Sequence, residues 1–257
     1  MKELANEIVK WLKNYATKNG SKGWVVGVSG GVDSALVSTL CAMTGLPTHC
    51  VVLPCQTNIL ESSRGDRHIE WLKGKFPNVT YNKISLINTF YAFHRATNGS
   101  WNNDLAYANT KSRLRMIALY QIACCTGGFV VGTGNKVEDF GIGFFTKYGD
   151  GGVDISPISD LTKSEVRQMS RELDIHPDLS EAIATDGLWG AENSRTDEDA
   201  IGATYVELEW AMQWVEDSSK VLTEWLTERQ KQVLEIYTKR HAATMHKLSP
   251  IPTFTRQ

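Results

Sequence analysis

"VVGVSGGVDSALV", Val25 to Val37, begins as an apolar β-branched run, breaks at the pair Gly30-Gly31 and restarts with helical spacing. The same β-branched character returns in "HCVVL" at 49–53 and "FVVGT" at 129–133, with longer segments of helical periodicity between them. Near-continuous apolar strands of this kind suit a parallel sheet covered by helices on both faces. The expected fold class is therefore α/β, a doubly wound, mainly parallel sheet. In such sheets ligands collect outside the carboxyl ends of the strands, where loops and helix N-termini converge.

A chain of 257 residues can bury one sizeable core, and a single domain over 1–257 is expected, its C-terminal part from about 195 to 245 helical. The tail "SPIPTFTRQ" should be irregular. With 27 basic and 29 acidic residues the net charge is only -2, so no strong field points to nucleic acid or an anionic membrane. The N-terminal segment interleaves charges with Leu4, Ile8, Trp11, Leu12 and Tyr15, the pattern of an amphipathic helix and not of a signal peptide. No run approaches the ~18 apolar residues of a membrane span, so a soluble cytoplasmic protein acting on small molecules is expected. Five cysteines without a CxxC pair suggest small buried hydrophobes, not a disulfide framework or a zinc site. Trp189, Trp210, Trp214 and Trp225 are expected in the core or a subunit interface.

The glycine turn is suited to an anion. Gly30 and Gly31 allow close approach to backbone amides, Ser29 and Ser34 add hydroxyl donors, and the helix starting near Asp33 points its positive end at the same place. Neither GxxxxGK[ST] nor GxGxxG fits the stretch, because it lacks the lysine and has the wrong glycine spacing. Asp33 is then either an N-cap or, beside phosphates, a ligand of magnesium bridging carboxylate and phosphate oxygens. The string Ser-Gly-Gly-x-Asp-Ser resembles the pyrophosphate-binding loop of the ATP pyrophosphatase superfamily.

Further along, "NTKSRLRM" at 109–116 has helical spacing and puts Asn109 and Arg113 on one face. Arg113 could fork a phosphate or carboxylate, or be an ordinary solvated arginine. Thr133 and Glu138 follow the third strand, and Glu138 could join Asp33 at a magnesium site. The segment from Gly141 to Pro157 is a long glycine-rich loop in which Lys147 and Asp154 could close over a substrate.

Taken together, "SGGVDS", "NTKSRLRM", "GTGNKVED", "FFTKYGDGGVD", "PISDLTKSEV", "DGLW", "RTDEDAIGATY" and the terminal "HK" resemble, in order and spacing, the ammonia-dependent NAD synthetases, of adenine nucleotide alpha-hydrolase-like (Rossmann-like) fold. The resemblance implies a ligase that amidates deamido-NAD to NAD with free ammonia, through an adenylated carboxylate, releasing AMP and pyrophosphate. It implies ATP contacts at Gly27, Ser29, Gly30, Gly31, Asp33, Ser34, Thr133, Lys163 and Thr185, with Mg2+ held by Asp33 and Glu138. It implies deamido-NAD contacts at Arg113, Lys147, Asp154, His246 and Lys247, and a homodimer with substrate near its interface. Asp33 and Lys163 would be catalytic. No general base for ammonium is legible, and Asp154 is named for that place. Two rivals keep the nucleotide site: adenylation of a transfer RNA, disfavoured by the near-neutral charge, and a non-enzymatic ATP sensor.

Overall fold

A computed structural model of the chain describes residues 1–56, 59–97, 103–182, 196–217 and 225–256. Four strands, β1 (Trp24–Gly27), β2 (Thr48–Val52), β3 (Val79–Lys83) and β4 (Phe129–Val130), form a sheet in the order β3-β2-β1-β4. Every neighbouring pair is parallel. Three of these strands are the β-branched runs of the sequence: β1 and β4 are shorter than expected, by one and three residues, and β2 keeps its five residues but starts one earlier. The fourth, β3, is a polar edge strand in which only Val79 is buried, which is why no apolar run announces it.

Successive side chains leave a strand on opposite sides. Trp24 and Val26 therefore face one helical layer and Val25 the other. The first layer contains α1 (Lys2–Asn19), α2 (Val32–Met43), α3 (Ile59–Lys75) and α6 (Lys163–Glu172). Leu12, Leu36, Leu40, Val166 and Met169 pack there with Trp24 and Val26. Across the sheet, α4 (Ile87–Ala96) and α5 (Asp104–Thr126) bring Phe90, Met116 and Leu119 onto Val25, Val51 and Val130. The sheet is doubly wound, as its apolar strands require.

A third core lies beyond the carboxyl edge. A π-helical turn, Lys136–Gly141, packs Val137 with Ile142 against Leu208 and Met212 of α9 (Tyr205–Glu216) and Tyr237 of α10 (Glu228–Leu248). The short helices α7 (Pro177–Ser180) and α8 (Asp197–Ile201) complete the described elements. Cys41, Cys50 and Cys55 are buried as expected, whereas Cys124 and Cys125 are exposed near the end of α5. Trp225 is 84% exposed, so within this chain it is not a core residue.

Candidate active site

The sheet order reverses between β1 and β4: β2 and β3 are added on one side of β1, and β4 on the other. The loops leaving these two adjacent strands diverge, and the crevice between them is where an open α/β sheet takes its ligand. The Ser29–Asp33 turn forms one wall, and residues 131–138 form the other.

The first wall is a compact turn. Gly30 has φ 92°, a left-handed conformation that glycine adopts without a Cβ penalty. Its carbonyl accepts a hydrogen bond from Nε of Arg64 on α3 at 3.1 Å. Ser34 in the first turn of α2 accepts from the Ser29 amide at 3.2 Å and donates to the Gly31 carbonyl at 3.0 Å. The Ser29 hydroxyl lies 3.1 Å from that of Ser34. The hydroxyls thus fold back into the turn and keep the N-terminus of α2 open toward the crevice, where its dipole favours an anion.

The second wall places carboxylates. Asn135 caps the π turn, and Glu138 in that turn faces Asp33 of α2. Thr162 and Glu165 form a capping box at the start of α6. Because α2 and α6 pack side by side through the first core, that cap sets Lys163 abreast of Asp33. Lys163 Nζ donates to Asp33 Oδ2 at 2.6 Å and to Glu138 Oε1 at 3.0 Å, with the lysine side chain only 3% exposed. Asn135 Nδ2 donates to Asp33 Oδ1 at 3.0 Å and also to Glu138 Oε2. The Tyr205 hydroxyl reaches Glu138 from α9, and its ring lies 4.9 Å from Lys163 Nζ.

These contacts set the protonation states. Burial alone would lower the Lys163 pKa, but Asp33 and Glu138 outweigh it and hold the ammonium above its usual range. Burial, then Glu138 and Asp197, push the Tyr205 phenol far up, so it remains a donor. Asp139, next along the π turn, is driven well up by burial and then by Asp150, Glu138 and Asp33. The inner end of the crevice is therefore a crowd of carboxylates organised around one ammonium.

The outer end is basic. Arg113 Nε donates to the Lys147 carbonyl at 3.2 Å, and Lys147 Nζ donates to the His246 carbonyl at 3.1 Å. Lys247 Nζ donates to the carbonyls of Gly143 and Phe145, each at 2.8 Å. Burial lowers the Lys247 pKa, opposed by Asp150 and Asp139. Deeper in the loop, the Asp150 carboxylate accepts from Ser112 Oγ at 2.5 Å and from the Thr146 amide at 3.1 Å. Loop 142–151 is thereby clasped between α5 and the last turns of α10.

One cleft of about 780 Å³ gathers most of the expected residues. Gly27, Ser29, Gly31, Asp33, Ser34, Thr133 and Lys163 line it at one end. Glu138 lines it beside Asp33 and Lys163; Arg113, Lys147, His246 and Lys247 line it as well, and Gly30 is buried within the turn. Asp154 is not brought to it. Its carboxylate accepts from the Tyr120 hydroxyl at 3.0 Å and the Val130 amide at 2.8 Å, clamping the loop to β4. Thr185 and the "DGLW" string lie outside the described residues. Asn135 and Tyr205 lie within "GTGNKVED" and "RTDEDAIGATY" but receive no role in the sequence reading, because neither is a typical metal ligand or phosphate donor, and Arg64 lies outside every quoted string.

Two facing carboxylates already bridged by one cation fit a hard divalent ion such as Mg2+, which takes one or two carboxylates and completes its shell with phosphate and water oxygens. Among the described residues, no group of three His, Cys, Asp or Glu side chains could form a protein-only cage.

Known proteins resemble the chain over most of its length. The family model described as NAD synthase matches residues 4–251. An "NH(3)-dependent NAD(+) synthetase" of Syntrophomonas wolfei subsp. wolfei is 34% identical over 213 residues, which cover 80% of this chain and 82% of that protein. The solved structure of an NMN synthetase from Francisella tularensis superposes with a TM-score of 0.84 at 30% identity, covering 99% of this chain and 98% of that one. An NH3-dependent NAD synthetase from Campylobacter jejuni shares the fold, with a TM-score of 0.79 at 24% identity and the same coverage of 99% and 98%.

Proposed function

The chain belongs to the NAD synthase family, and from that premise we propose the division of labour within its cleft. The reaction is the ATP-dependent amidation of deamido-NAD by free ammonia, the last step of NAD biosynthesis, made by a ligase that forms a carbon–nitrogen bond. A carboxylate resists attack because oxide would have to leave. One carboxylate oxygen of the nicotinate therefore bonds to the α-phosphorus of ATP, and the bond from that phosphorus to pyrophosphate breaks. Ammonia then bonds to the carbonyl carbon, AMP departs with the transferred oxygen, and a proton is released.

Both reacting partners of the first step are anionic, so alignment and neutralisation are the protein's main tasks. Ser29, Gly30, Gly31 and Ser34, with the N-terminus of α2, hold the pyrophosphate. Gly27, Thr133 and Thr185 contact the rest of ATP. Lys163 presents its ammonium to the phosphates while remaining anchored by Asp33. Arg113, Lys147, His246 and Lys247 hold deamido-NAD at the basic end, and Asp154 serves them indirectly by clamping the loop to β4. Asp33 and Glu138 would hold Mg2+, which when bound offsets phosphate charge. The observation that carries the assignment is the Asp33–Lys163–Glu138 bridge at the mouth of the glycine turn, with both ion pairs at 3.0 Å or less.

The chain is read as one domain over 1–257, with its helical part from about 195 to 245. A homodimer through α5 is supported by Ile117 and Tyr120, 66% and 38% exposed on a stripe that continues to Arg113 and Cys124. No described helix is long and apolar enough to cross a membrane, and a cytoplasmic location is proposed.

The test is to incubate the chain with ATP, a magnesium salt, ammonium and deamido-NAD and to detect NAD through a coupled dehydrogenase. NAD, AMP and pyrophosphate should form together and glutamine should not replace ammonium. ATP binding without pyrophosphate release would refute the assignment. A second reading, favoured by the 30% identity to an NMN synthetase, makes nicotinate mononucleotide the acceptor; it predicts nicotinamide mononucleotide formation and little turnover of deamido-NAD in the same assay.

A further inference from the structure

The Asn135 side chain is fully buried and uses both ends of its amide. Oδ1 accepts from the amides of Val137 at 3.1 Å and Glu138 at 3.0 Å, capping the π turn. Nδ2 donates to Asp33 Oδ1 at 3.0 Å and to Glu138 Oε2. The amide cannot be flipped, because its oxygen would then face two carboxylates and its NH2 two amide donors. Lys163 makes the matching bridge from the other side, to Asp33 Oδ2 at 2.6 Å and Glu138 Oε1 at 3.0 Å. All four carboxylate oxygens are thus held in a closed ring by two donors.

The two donors differ in kind. Lys163 is a point charge on a flexible stem, drawn toward any phosphate that enters. Asn135 is neutral and planar, and its position is fixed by the backbone of the turn that carries Glu138. We propose that Asn135 is a positioning residue: its amide fixes the spacing and facing of the Asp33 and Glu138 carboxylates for a divalent cation. This rests on the ligase reading above.

Asn135→Ser and Asn135→Asp separate this role from capping. Serine caps a helical turn as well as asparagine does but is too short to bridge both carboxylates. Aspartate keeps the capping oxygen and replaces the bridging donor with an oxygen of a third carboxylate. Mn2+ binding is read by electron paramagnetic resonance with and without a non-hydrolysable ATP analogue, beside kcat, KM and thermal melting. Asn135→Ser should melt near wild type, bind Mn2+ about 10- to 100-fold more weakly with the analogue present, and lose kcat with the KM for ammonia unchanged. Asn135→Asp should gain Mn2+ binding in the absence of nucleotide. A folded serine variant within twofold of wild-type Mn2+ affinity overturns the proposal. Should that variant not fold, an aspartate variant without the gain overturns it. A wild-type chain that binds no Mn2+ with the analogue overturns the site reading and this proposal together, whereas normal wild-type binding with an unaffected serine variant overturns this proposal alone.

Discussion

Lys163 is the cation on which the inner site turns. Its ammonium is almost wholly buried between Asp33 and Glu138, which are themselves only 17% and 12% exposed. Removing one partner from a buried ionic group leaves the others uncompensated. Lys163→Met should therefore cost about 3–5 kcal/mol of stability, measured as a shift of the urea midpoint, as well as abolishing turnover. A different buried group adds to acid sensitivity. The His68 imidazole lies 3.0 Å from Ser38 Oγ and stacks on Trp71, and burial holds its pKa down to about 4. Above its unfolded pKa near 6.5 the ring is neutral in both states. Between 6.5 and about 4 the unfolded chain takes up a proton that the native chain refuses. Stability from this group is therefore present above 6.5 and should fall by about 1.4 kcal/mol per pH unit through that window. Urea midpoints at pH 7 and pH 5 should show the slope, and His68→Gln should remove it.

At the scale of elements, helix starts and turns bring distant residues into register. The capping box at the head of α6 and the glycine turn before α2 end side by side, so Lys163 and Asp33 meet although 130 residues apart. The outer clasp depends on Gly143, whose φ is 62° and whose added Cβ would lie 2.2 Å from Thr244 of α10. Gly143→Ala should destabilise the chain by more than about 1 kcal/mol. It should also raise the KM for deamido-NAD by about tenfold or more, by pushing the Lys247 end of α10 off the loop, while the KM for ammonia stays the same. Steady-state kinetics with each substrate varied would show the split. The strand, glycine turn and helix at 24–43 were legible because periodicity changes there from two to 3.6 around a glycine pair. Edge strand β3 was not, since four of its five residues are not buried and their pattern is that of a polar loop. The π turn at 136–141 has no sequence period of its own. Asn135 and Tyr205 reach Asp33 and Glu138 across 102 and 67 residues, a closeness that no local pattern encodes. Asp154 shows the opposite limit, because a carboxylate in a glycine-rich loop can also clamp backbone, and that is the contact its side chain makes here.

The whole molecule has an acidic inner cleft and a basic outer one, and the nearly neutral net charge of -2 conceals this separation. The outer end adjoins the exposed stripe of α5, where Arg113 is followed by Ile117 and Tyr120. The proposed homodimer, if formed there, would put the basic end of the cleft beside its twin. Ile117→Asp should convert a dimer into a monomer in sedimentation equilibrium, because an unpaired charge in an apolar interface is strongly disfavoured. Adenylation of the carboxylate fixes the path of one oxygen atom. Deamido-NAD labelled with oxygen-18 in the nicotinate carboxylate is turned over with ATP and ammonium, and the products are weighed by mass spectrometry. One label should appear in the phosphate of AMP and none in pyrophosphate; label in pyrophosphate, or AMP free of label, would contradict adenylation of the carboxylate.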